Sequence, residues 1–514
     1  MKAKNLVGLL LLSGVLMSCG QPVAPESSSS EEQSSEQPSS SEISSEESSS
    51  EESSEFSSEE SSEVTSEESS SSSEEGYVPY ENDNVEVLMP SLYIKSHPGY
   101  NLSFKYSDSY FLEDAKTYNK DLSELSLGSS MAASYVDRGV AFFNACGFSD
   151  ITANMFDGDP TVDSIGYFVA HKQIDTYELF VVSFRGFEYG SEWANNFLVG
   201  KEGDHEGFSL RAAEVVENLK TYIASHSNDR DIKIWTNGYS RAGGMANVLS
   251  SVILRDESFG VDQSNLYAYT FEAPRGLSEE HAIAYENVHN IVNSADIITY
   301  FAPAEYGLYR CGVDIDIFDS NVSTLMRSLN VGIEVPEFIP TTGTIYDYSG
   351  EEMTSEDIEI TTEKQLIEYY IYRATHVNSS DETFLINTRE QYVDNFETPI
   401  VNVLGLVFGL KEATRNELLA AFQEMEMWDL VVLISSPTDL VDFFATYLDK
   451  DGITYDKEAL AADFEQITYI ALSAFAPILQ TFMGDEKDDL TRMIDMHFIE
   501  TVYVLLRNMH SNVE

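Results

Sequence analysis

Residues 236–244, Thr-Asn-Gly-Tyr-Ser-Arg-Ala-Gly-Gly (TNGYSRAGG), place a serine among small residues where one sequence pattern gives way to another. The preceding segment, DIKIWTNG (231–238), has the apolar character of a buried strand, and a helical spacing follows it. In Gly238-x-Ser240-x-Ala242 the small flanking residues permit a tight strand-to-helix turn that exposes the serine hydroxyl. A serine at a turn can also cap the helix that follows. The short motif alone therefore leaves both interpretations open.

The segments around this junction alternate between strand-like and helix-like patterns. Because strands that alternate with helices form a mainly parallel sheet with both faces covered, we predict an α/β fold for residues 77–304. The predicted strands are YELFVVSFRG (177–186), DIKIWTNG (231–238), NLYAYTFEAP (265–274) and VHNIVNSAD (288–296), and the predicted helices are 135–148, 208–226 and 245–254.

After residue 304 the pattern changes to successive helical segments with few strand signals. The roughly 435 residues that follow the N-terminal region are long for one compact core. We therefore expect 305–485 to form a helical insertion or lid and 486–514 to return to the core with the histidine. The most apolar part of the insertion, TPIVNVLGLVFGL (398–410), would form either a lipid-facing surface or the insertion's own core.

The first 19 residues have the pattern of an export signal. A basic start precedes a mostly apolar run, 6–17, which is too short to span a membrane and is typical of a signal peptide. The run ends in LMSCG (16–20), which resembles the bacterial lipoprotein box, in which Cys19 would carry the lipid. A plain secretory signal is the alternative. We expect an exported protein, lipid-anchored to the outer face of the bacterial cell membrane.

Residues 20–76 form a Ser/Glu-rich segment that we predict to be a disordered linker. Between residues 26 and 75 there are 17 Glu and no Lys or Arg, and too few apolar side chains to offset the entropy of ordering. The whole chain carries 29 basic and 88 acidic side chains, a net charge of −59. Such a balance argues against nucleic acid or an anionic membrane surface as a partner, because phosphate binding depends on clustered Lys and Arg.

Two cysteines, Cys146 and Cys311, remain after Cys19. An exported protein permits a disulfide, but spacing alone does not decide whether the two residues pair or lie unpaired in the core. No metal-ligand spacing and no phosphate-cradling glycine loop are evident, so neither a metal nor an organic cofactor is expected.

Several ordered motifs around the serine resemble the class 3 lipases, and most closely their Gram-positive bacterial relatives. The resemblance covers most of 93–303, resumes near the C-terminus, and implies an α/β-hydrolase fold. The motifs are the helical approach 109–135, FRG (184–186), SEWANNF (191–197), HEGF (205–208), TNGYSRAGGMAN (236–247), YTFEAPRG (269–276) and NSADIITYFAP (293–303).

By this resemblance Ser240 is the nucleophile and Asp296 is the triad acid, although an aspartate there could also serve as a turn or cap residue. The histidine is expected late, before an acidic residue and a tyrosine at the start of a helix. His497 in DMHFIETVYVLL (495–506) fits this pattern, with Glu500 and Tyr503 following. His376 is the rival, and a third alternative is that His497 only caps or packs a helix. His205, in HEGF, is expected to be structural.

The oxyanion hole implied by the resemblance uses two backbone N–H groups, those of Arg241 and Phe187. The sequence departs from the family at two positions here. Phe187 stands where Thr or Ser is more usual, and Tyr239 stands where a histidine commonly precedes the nucleophile.

The resemblance implies a serine hydrolase, a lipase or carboxylesterase that cleaves lipid esters through an acyl-enzyme. Two alternatives stay open. One is a surface-binding lipoprotein that keeps the fold without activity, and the other is a peptidase or thioesterase that uses the same triad on another acyl donor. The sequence does not indicate an oligomeric state.

Overall fold

In a computed structural model of the protein, the described residues are 77–92, 97–156, 165–187, 196, 198–200, 203–300, 307–329, 343–344, 359–360, 401, 405, 408–425, 429, 432–433, 436–461 and 495–512. The expected signal peptide with Cys19, the Ser/Glu-rich linker up to residue 76 and the rival His376 lie outside these ranges. Among the helices within them, none combines the length and the apolar character needed to cross a membrane.

The strands are β1 (Glu81–Met89), β2 (Tyr100–Ser107), β3 (Ser149–Asn154), β4 (Tyr167–Ile174), β5 (Tyr177–Phe184), β6 (Asp231–Tyr239), β7 (Leu266–Phe271), β8 (Leu277–Ser278), β9 (Val288–Val292), β10 (Leu308–Tyr309), β11 (Val313–Asp316), β12 (Gly343–Thr344) and β13 (Glu359–Ile360). The helices are α1 (Lys120–Ala132), α2 (Val136–Ala145), α3 (Glu206–His226), α4 (Arg241–Arg255), α5 (Val322–Ser328), α6 (Glu412–Glu424), α7 (Pro437–Asp451) and α8 (Ile499–Asn512).

Seven strands form one sheet in the order β11-β9-β7-β6-β5-β4-β3. From β11 to β5 the neighbours run parallel, whereas β4 and β3 extend the sheet in antiparallel fashion. Helix α3 connects β5 to β6, and helix α4 connects β6 to β7. The prediction of a mainly parallel α/β sheet is confirmed, and the fold is of the α/β-hydrolase type.

Helices cover both faces of the sheet. Since successive strand side chains point to opposite sides, each central strand contributes to two separate cores. On one face, Ile234 of β6 and Ala268 of β7 join a core that includes residues of α3 and α4. On the other face, Trp235 and Tyr269 join a core built with α1, α2 and α8 and with the β1–β2 hairpin. Both faces of the central strands are therefore buried, which explains why these segments are so apolar.

The sheet continues beyond residue 304, where we expected the hydrolase core to end. Strand β11 pairs in parallel with β9, and Val322 and Met326 of α5 are buried in the same core as α8. The predicted boundary therefore cuts off the last strand of the sheet, and the core extends to the end of α5. A short strand has too few residues to show a periodic pattern, which is why the sequence did not reveal it.

Helices α6 and α7 form a separate hydrophobic cluster with buried Leu418 and Phe444. Two residues of the apolar stretch 398–410, Val401 and Leu410, are also buried in this cluster. These residues belong to the core of the helical region and not to a lipid-facing surface.

Both cysteines that the sequence left undecided are buried and unpaired. Cys146 lies in the core on the α1 side of the sheet and Cys311 in the core on the α3 side. Because the sheet separates them, they cannot form a disulfide with each other.

Candidate active site

Ser240 occupies the turn between β6 and α4, with φ 60° and ψ −129°. Residues other than glycine rarely adopt this backbone conformation, so the surrounding structure must hold it in place. The Ser240 N–H donates to the Phe271 carbonyl (2.8 Å), and the Ser240 carbonyl accepts from the Gly244 N–H (3.0 Å). The side chain makes no capping hydrogen bond to the helix. The serine therefore stands at the helix start without serving as its side-chain cap.

Gly238 is the residue that makes this turn possible. A Cβ atom at Gly238 would lie 2.1 Å from the Ala242 carbonyl oxygen, far inside van der Waals contact. The backbone of the turn closes on itself at this point, so position 238 accepts no side chain. The glycine in the motif is explained by contact and not by an unusual φ at Gly238 itself.

His497 brings the three predicted triad residues together. Its Nε2 lies 2.7 Å from Ser240 Oγ, and its Nδ1 lies 2.6 Å from Asp296 Oδ2. When Nδ1–H donates to the carboxylate, Nε2 of the neutral ring is left to accept the serine proton. Asp296 is completely buried, whereas the His497 side chain is 12% exposed. The arrangement has the geometry of a nucleophile, a base and an orienting acid.

The loop after β9 holds Asp296 and also contacts the segment that carries His497. Asp296 Oδ1 accepts the Ile298 N–H (2.9 Å), which fixes the carboxylate. The Asn293 side chain donates to the Met496 carbonyl (3.0 Å), one residue before the histidine. Two segments that are far apart in sequence are thereby held in register at the carboxyl edge of the sheet.

Tyr239, the residue that departs from the family before the nucleophile, supports the histidine from the other side. Its ring stacks on the His497 imidazole with centroids 5.2 Å apart, and its hydroxyl donates to the His497 carbonyl. The Phe187 ring lies 5.1 Å from the Tyr239 ring. The two residues that depart from the family pattern are therefore in contact with each other, and Tyr239 is also in contact with the triad.

The two expected oxyanion donors differ in their surroundings. Arg241 is the first residue of α4, where backbone N–H groups point out of the helix N-terminus toward the nucleophile. The Phe187 N–H donates to the Ser134 hydroxyl (3.1 Å), which in turn donates to the Ser130 carbonyl (3.4 Å). In this structure the second donor is engaged by the protein itself.

Glu272 is a site residue that sequence analysis missed, although the motif YTFEAPRG contains it. Its side chain is fully buried at the end of β7, with φ 48°, and it is hydrogen-bonded to the Asp296 side chain. Both carboxyl oxygens also accept the Asn293 N–H, at 3.1 and 3.0 Å. Burial, and then the neighbouring Asp296, raise the pKa of Glu272 well above its ordinary value. Glu272 in its protonated form would donate to the carboxylate that orients His497.

His205 has a structural role, in agreement with the prediction. It caps α3 by accepting the Phe208 N–H at Nδ1 (3.4 Å), and its Nε2–H donates to the Asn196 carbonyl (3.1 Å). Burial lowers the pKa of His205 to about 4, so the ring is neutral at ordinary pH.

Among the described residues, no cluster of metal-binding side chains lies at the triad. One such cluster exists elsewhere, where Asp150, His171 and His226 bring three ligand atoms within 4.8 Å of one another. This cluster is not evident in the sequence, because the three residues lie on different elements and have no regular spacing.

Residues 181–306 match a family model described as lipase (class 3). The matched segment contains Ser240 and Asp296 and ends well before His497. A search of curated protein sequences found no match.

Solved structures of fungal lipases also resemble the chain. The triacylglyceride lipase of Rhizomucor miehei is 20% identical, with 40% of this chain and 82% of that chain covered and a TM-score of 0.29. Lipase II from Rhizopus niveus is 16% identical, with 38% and 81% covered and a TM-score of 0.29. The lipase from Rhizopus microsporus var. chinensis is 17% identical, with 38% and 75% covered and a TM-score of 0.28. With identities and TM-scores this low, nothing about function follows from these structures.

The fold, the Ser240–His497–Asp296 geometry and the family match together define the class of protein, a serine ester hydrolase with an α/β-hydrolase fold. Within that class, the segment 181–306 is similar to the class 3 lipases.

Proposed function

We propose that this protein is an exported, membrane-tethered lipase or carboxylesterase that cleaves the ester bonds of lipids. The observation that carries the proposal is the continuous hydrogen-bond chain from Ser240 through His497 to Asp296. The class 3 lipase match supports lipid esters as the substrate class.

The proposed reaction is acyl transfer to water in two steps. His497 Nε2 takes the hydroxyl proton as Ser240 Oγ attacks the ester carbonyl, and Asp296 stabilises the imidazolium that forms. The tetrahedral intermediate then collapses, the imidazolium protonates the leaving alcohol, and the acyl group stays on Ser240. A water molecule, deprotonated by His497, attacks this acyl-enzyme and releases the carboxylic acid.

The negative charge on the tetrahedral oxygen needs donors in fixed positions. We assign this role to the backbone N–H groups of Arg241 and Phe187. The Phe187 N–H must then exchange the Ser134 hydroxyl for the substrate oxygen. Its present partner keeps the N–H satisfied when no substrate is bound, since a buried donor without an acceptor costs about 1–3 kcal/mol.

The helical region between Asp296 and His497 is proposed to cover the serine as a lid or to form a wall of the acyl pocket. A closing element of this kind suits a long acyl chain better than a small soluble ester. A thioesterase or peptidase activity on the same triad is the second candidate function, because the triad chemistry alone does not select the acyl donor.

The activity is tested with a fluorophosphonate probe and nitrophenyl esters of graded acyl length, with and without detergent micelles. We expect covalent labelling at Ser240, and loss of labelling and turnover in Ser240→Ala. Ser225→Ala, a serine-to-alanine change on the exposed part of α3, is the matched control and should behave like the wild type. Absence of labelling in the wild type would favour the inactive binding protein. Labelling together with preference for thioesters or peptides would favour the second candidate function.

The membrane tether is proposed from the N-terminal sequence alone, through lipid on Cys19 and a flexible linker up to residue 76. Replacing Cys19 with Ser should move the protein from the membrane fraction to the soluble fraction. Deleting residues 21–75 should leave the turnover of soluble esters unchanged, because such a linker supplies reach and not structure. Membrane retention of the Cys19→Ser protein would contradict the lipid anchor.

A further inference from the structure

Three metal-ligating side chains meet at the antiparallel end of the main sheet. Asp150 lies on β3, His171 on β4, and His226 is the last residue of α3. Asp150 Oδ2 lies 3.1 Å from His171 Nε2 and 4.0 Å from His226 Nε2. All three ligand atoms lie within 4.8 Å of one another, so small side-chain movements would bring them around one ion.

The second nitrogen of each imidazole already has an acceptor. His171 Nδ1 lies 2.6 Å from Glu178 Oε1, and the Glu178 side chain is only 2% exposed. His226 Nδ1 lies 2.8 Å from the Tyr222 carbonyl. Metal-binding histidines almost always donate their other N–H to a carboxylate or a backbone carbonyl, which fixes the tautomer with the free lone pair toward the ion. Both histidines here have such a partner.

Neighbouring groups hold the ligands in place. The Tyr222 ring stacks on His226 with centroids 4.2 Å apart, and the Tyr222 hydroxyl donates to the Asp150 carbonyl (2.7 Å). Asp150 itself has φ 47°, the left-handed conformation that an aspartate adopts only where its surroundings favour it. One tyrosine therefore contacts both the helix end and the strand that carry the ligands.

We propose that Asp150, His171 and His226 bind one divalent transition-metal ion, and that Zn²⁺ is the preferred ion. Two imidazole nitrogens and one carboxylate oxygen are donors that zinc accepts in a tetrahedral site, whereas Ca²⁺ and Mg²⁺ require sites rich in oxygen. The Asp150 side chain is 66% exposed and that of His226 is 25% exposed. The solvent side of the cluster leaves room for water as the fourth ligand.

The site takes no part in the ester reaction, because of where it lies on the sheet. His226 ends α3 just before the first residue of β6, and Ser240 follows the last residue of the same strand. The nine residues of β6 span roughly 25–30 Å at the rise of an extended chain, which separates the ion from the serine. An ion there would join β3 and β4 to the end of α3.

The test begins with the full chain stripped by a chelator and freed of any histidine tag. Calorimetric titration with Zn²⁺ should show one site per chain with a dissociation constant in the micromolar range or tighter. Excess Zn²⁺ should raise the melting temperature by several degrees, since an ion that binds only the folded state stabilises it. Ca²⁺ and Mg²⁺ at the same concentration should leave the melting temperature unchanged.

Variants separate this site from adventitious binding. His171→Gln and His226→Gln should each weaken Zn²⁺ binding at least tenfold and abolish the shift in melting temperature. His281→Gln is the matched control, because His281 also contacts an aspartate (2.7 Å from Asp204) but lies outside the cluster. All three variants should keep ester turnover, which reports that they fold.

If the wild type and His226→Gln bind Zn²⁺ with the same affinity, or if the wild type shows no stoichiometric site, the cluster is a hydrogen-bonded ion group and not a metal site. Substitution with Co²⁺ gives an independent readout, since its visible absorption reports the ligands directly. The bands expected in the wild type should be absent in His171→Gln.

Discussion

The carboxyl groups of Glu272 and Asp296 are hydrogen-bonded to each other, and neither side chain is exposed. Two buried carboxyl groups in contact do not both ionise readily, because like charges repel and burial disfavours each charge. Burial and the neighbouring Asp296 raise the pKa of Glu272 well above its ordinary value, so Glu272 keeps a proton to a higher pH than a free glutamate does. Because Asp296 Oδ2 contacts His497 Nδ1, Glu272 acts on the histidine through Asp296 as a positioning residue.

Glu272→Gln should alter the dependence of stability on pH. The folded-state pKa of Glu272 is raised above its ordinary value of 4.5, so the folded protein keeps a proton that the unfolded chain releases. The stability linked to that proton is complete below the unfolded pKa and is lost as the pH rises through the folded pKa. Glutamine keeps a hydrogen-bond donor to Asp296 but cannot ionise. The melting temperature of the variant should therefore fall less than that of the wild type between acid and alkaline pH.

The same substitution should change the pH profile of kcat/KM. In the wild type, ionisation of Glu272 at high pH puts a second negative charge beside Asp296, and the variant lacks this event. We expect similar activity near neutral pH and a different alkaline limb. Glu272→Ala, which removes the donor as well, should lower both activity and melting temperature. Identical profiles for the wild type and Glu272→Gln would show that Glu272 has only a packing role.

His497→Ala should reduce ester turnover by about three or more orders of magnitude, to the level of Ser240→Ala. The double variant should be little worse than either single variant, because members of one triad act as a unit. Steady-state kinetics on a soluble ester measure both effects. His376→Ala should retain most activity. The opposite pattern, with His376 essential and His497 dispensable, would assign the base to the rival histidine.

Tyr239→Phe should lower kcat several-fold while KM changes little. The ring still stacks on His497, but the hydroxyl that donates to the His497 carbonyl is gone. The loss of one such hydrogen bond should cost about 1 kcal/mol of stability. Tyr167→Phe is the control, since it also removes a hydroxyl that is hydrogen-bonded, to Asn218, but lies away from the triad. Equal kcat values for the two variants would leave Tyr239 with a structural role only.

Gly238→Ala should destabilise the fold severely, by more than about 4 kcal/mol, because the new methyl group would meet the Ala242 carbonyl at 2.1 Å. The three nearest atoms all belong to the backbone of Ala242 and Gly243, which cannot move aside as a flexible side chain could. Gly260→Ala provides the comparison. Gly260 has φ 66° and open space around its Cβ position, so its replacement should cost only about 1–2 kcal/mol of backbone strain. Melting temperatures of the two variants test the difference, and equal losses would contradict the close contact.

The parallel centre of the fold was predictable because its strands are buried on both faces. The segments of β5, β6, β7 and β9 are mostly buried and rich in apolar residues, and the helices between them have clear periodic patterns. The β1–β2 hairpin and the edge strand β3 were not predicted. The sequence of β3, SDITAN, is polar and leaves most of its side chains partly or fully exposed, so it carries little pattern.

The site could be predicted only where a motif preserves local spacing. Ser240 follows from the turn between β6 and α4, and Asp296 and His497 follow from the resemblance to a family. Glu272 was visible in the sequence, but its contact with Asp296 depends on the pairing of β7 with β9. The same holds for Asp150, whose neighbours in space come from a strand and a helix end far along the chain. Contacts that depend on tertiary pairing leave no periodic trace in a single sequence.

The order of the triad residues along the chain lets the sheet form during synthesis before the active site is complete. His497 comes 201 residues after Asp296, and at a synthesis rate of about 5–20 residues per second it is made roughly 10–40 s later. During that interval the sheet and the strand-to-helix turn with Ser240 can form, but no base is present to activate the hydroxyl. Helix α8, which follows His497, must also dock before the histidine is held in place. A nascent chain therefore has no base to activate Ser240 until the segment with His497 has been synthesised.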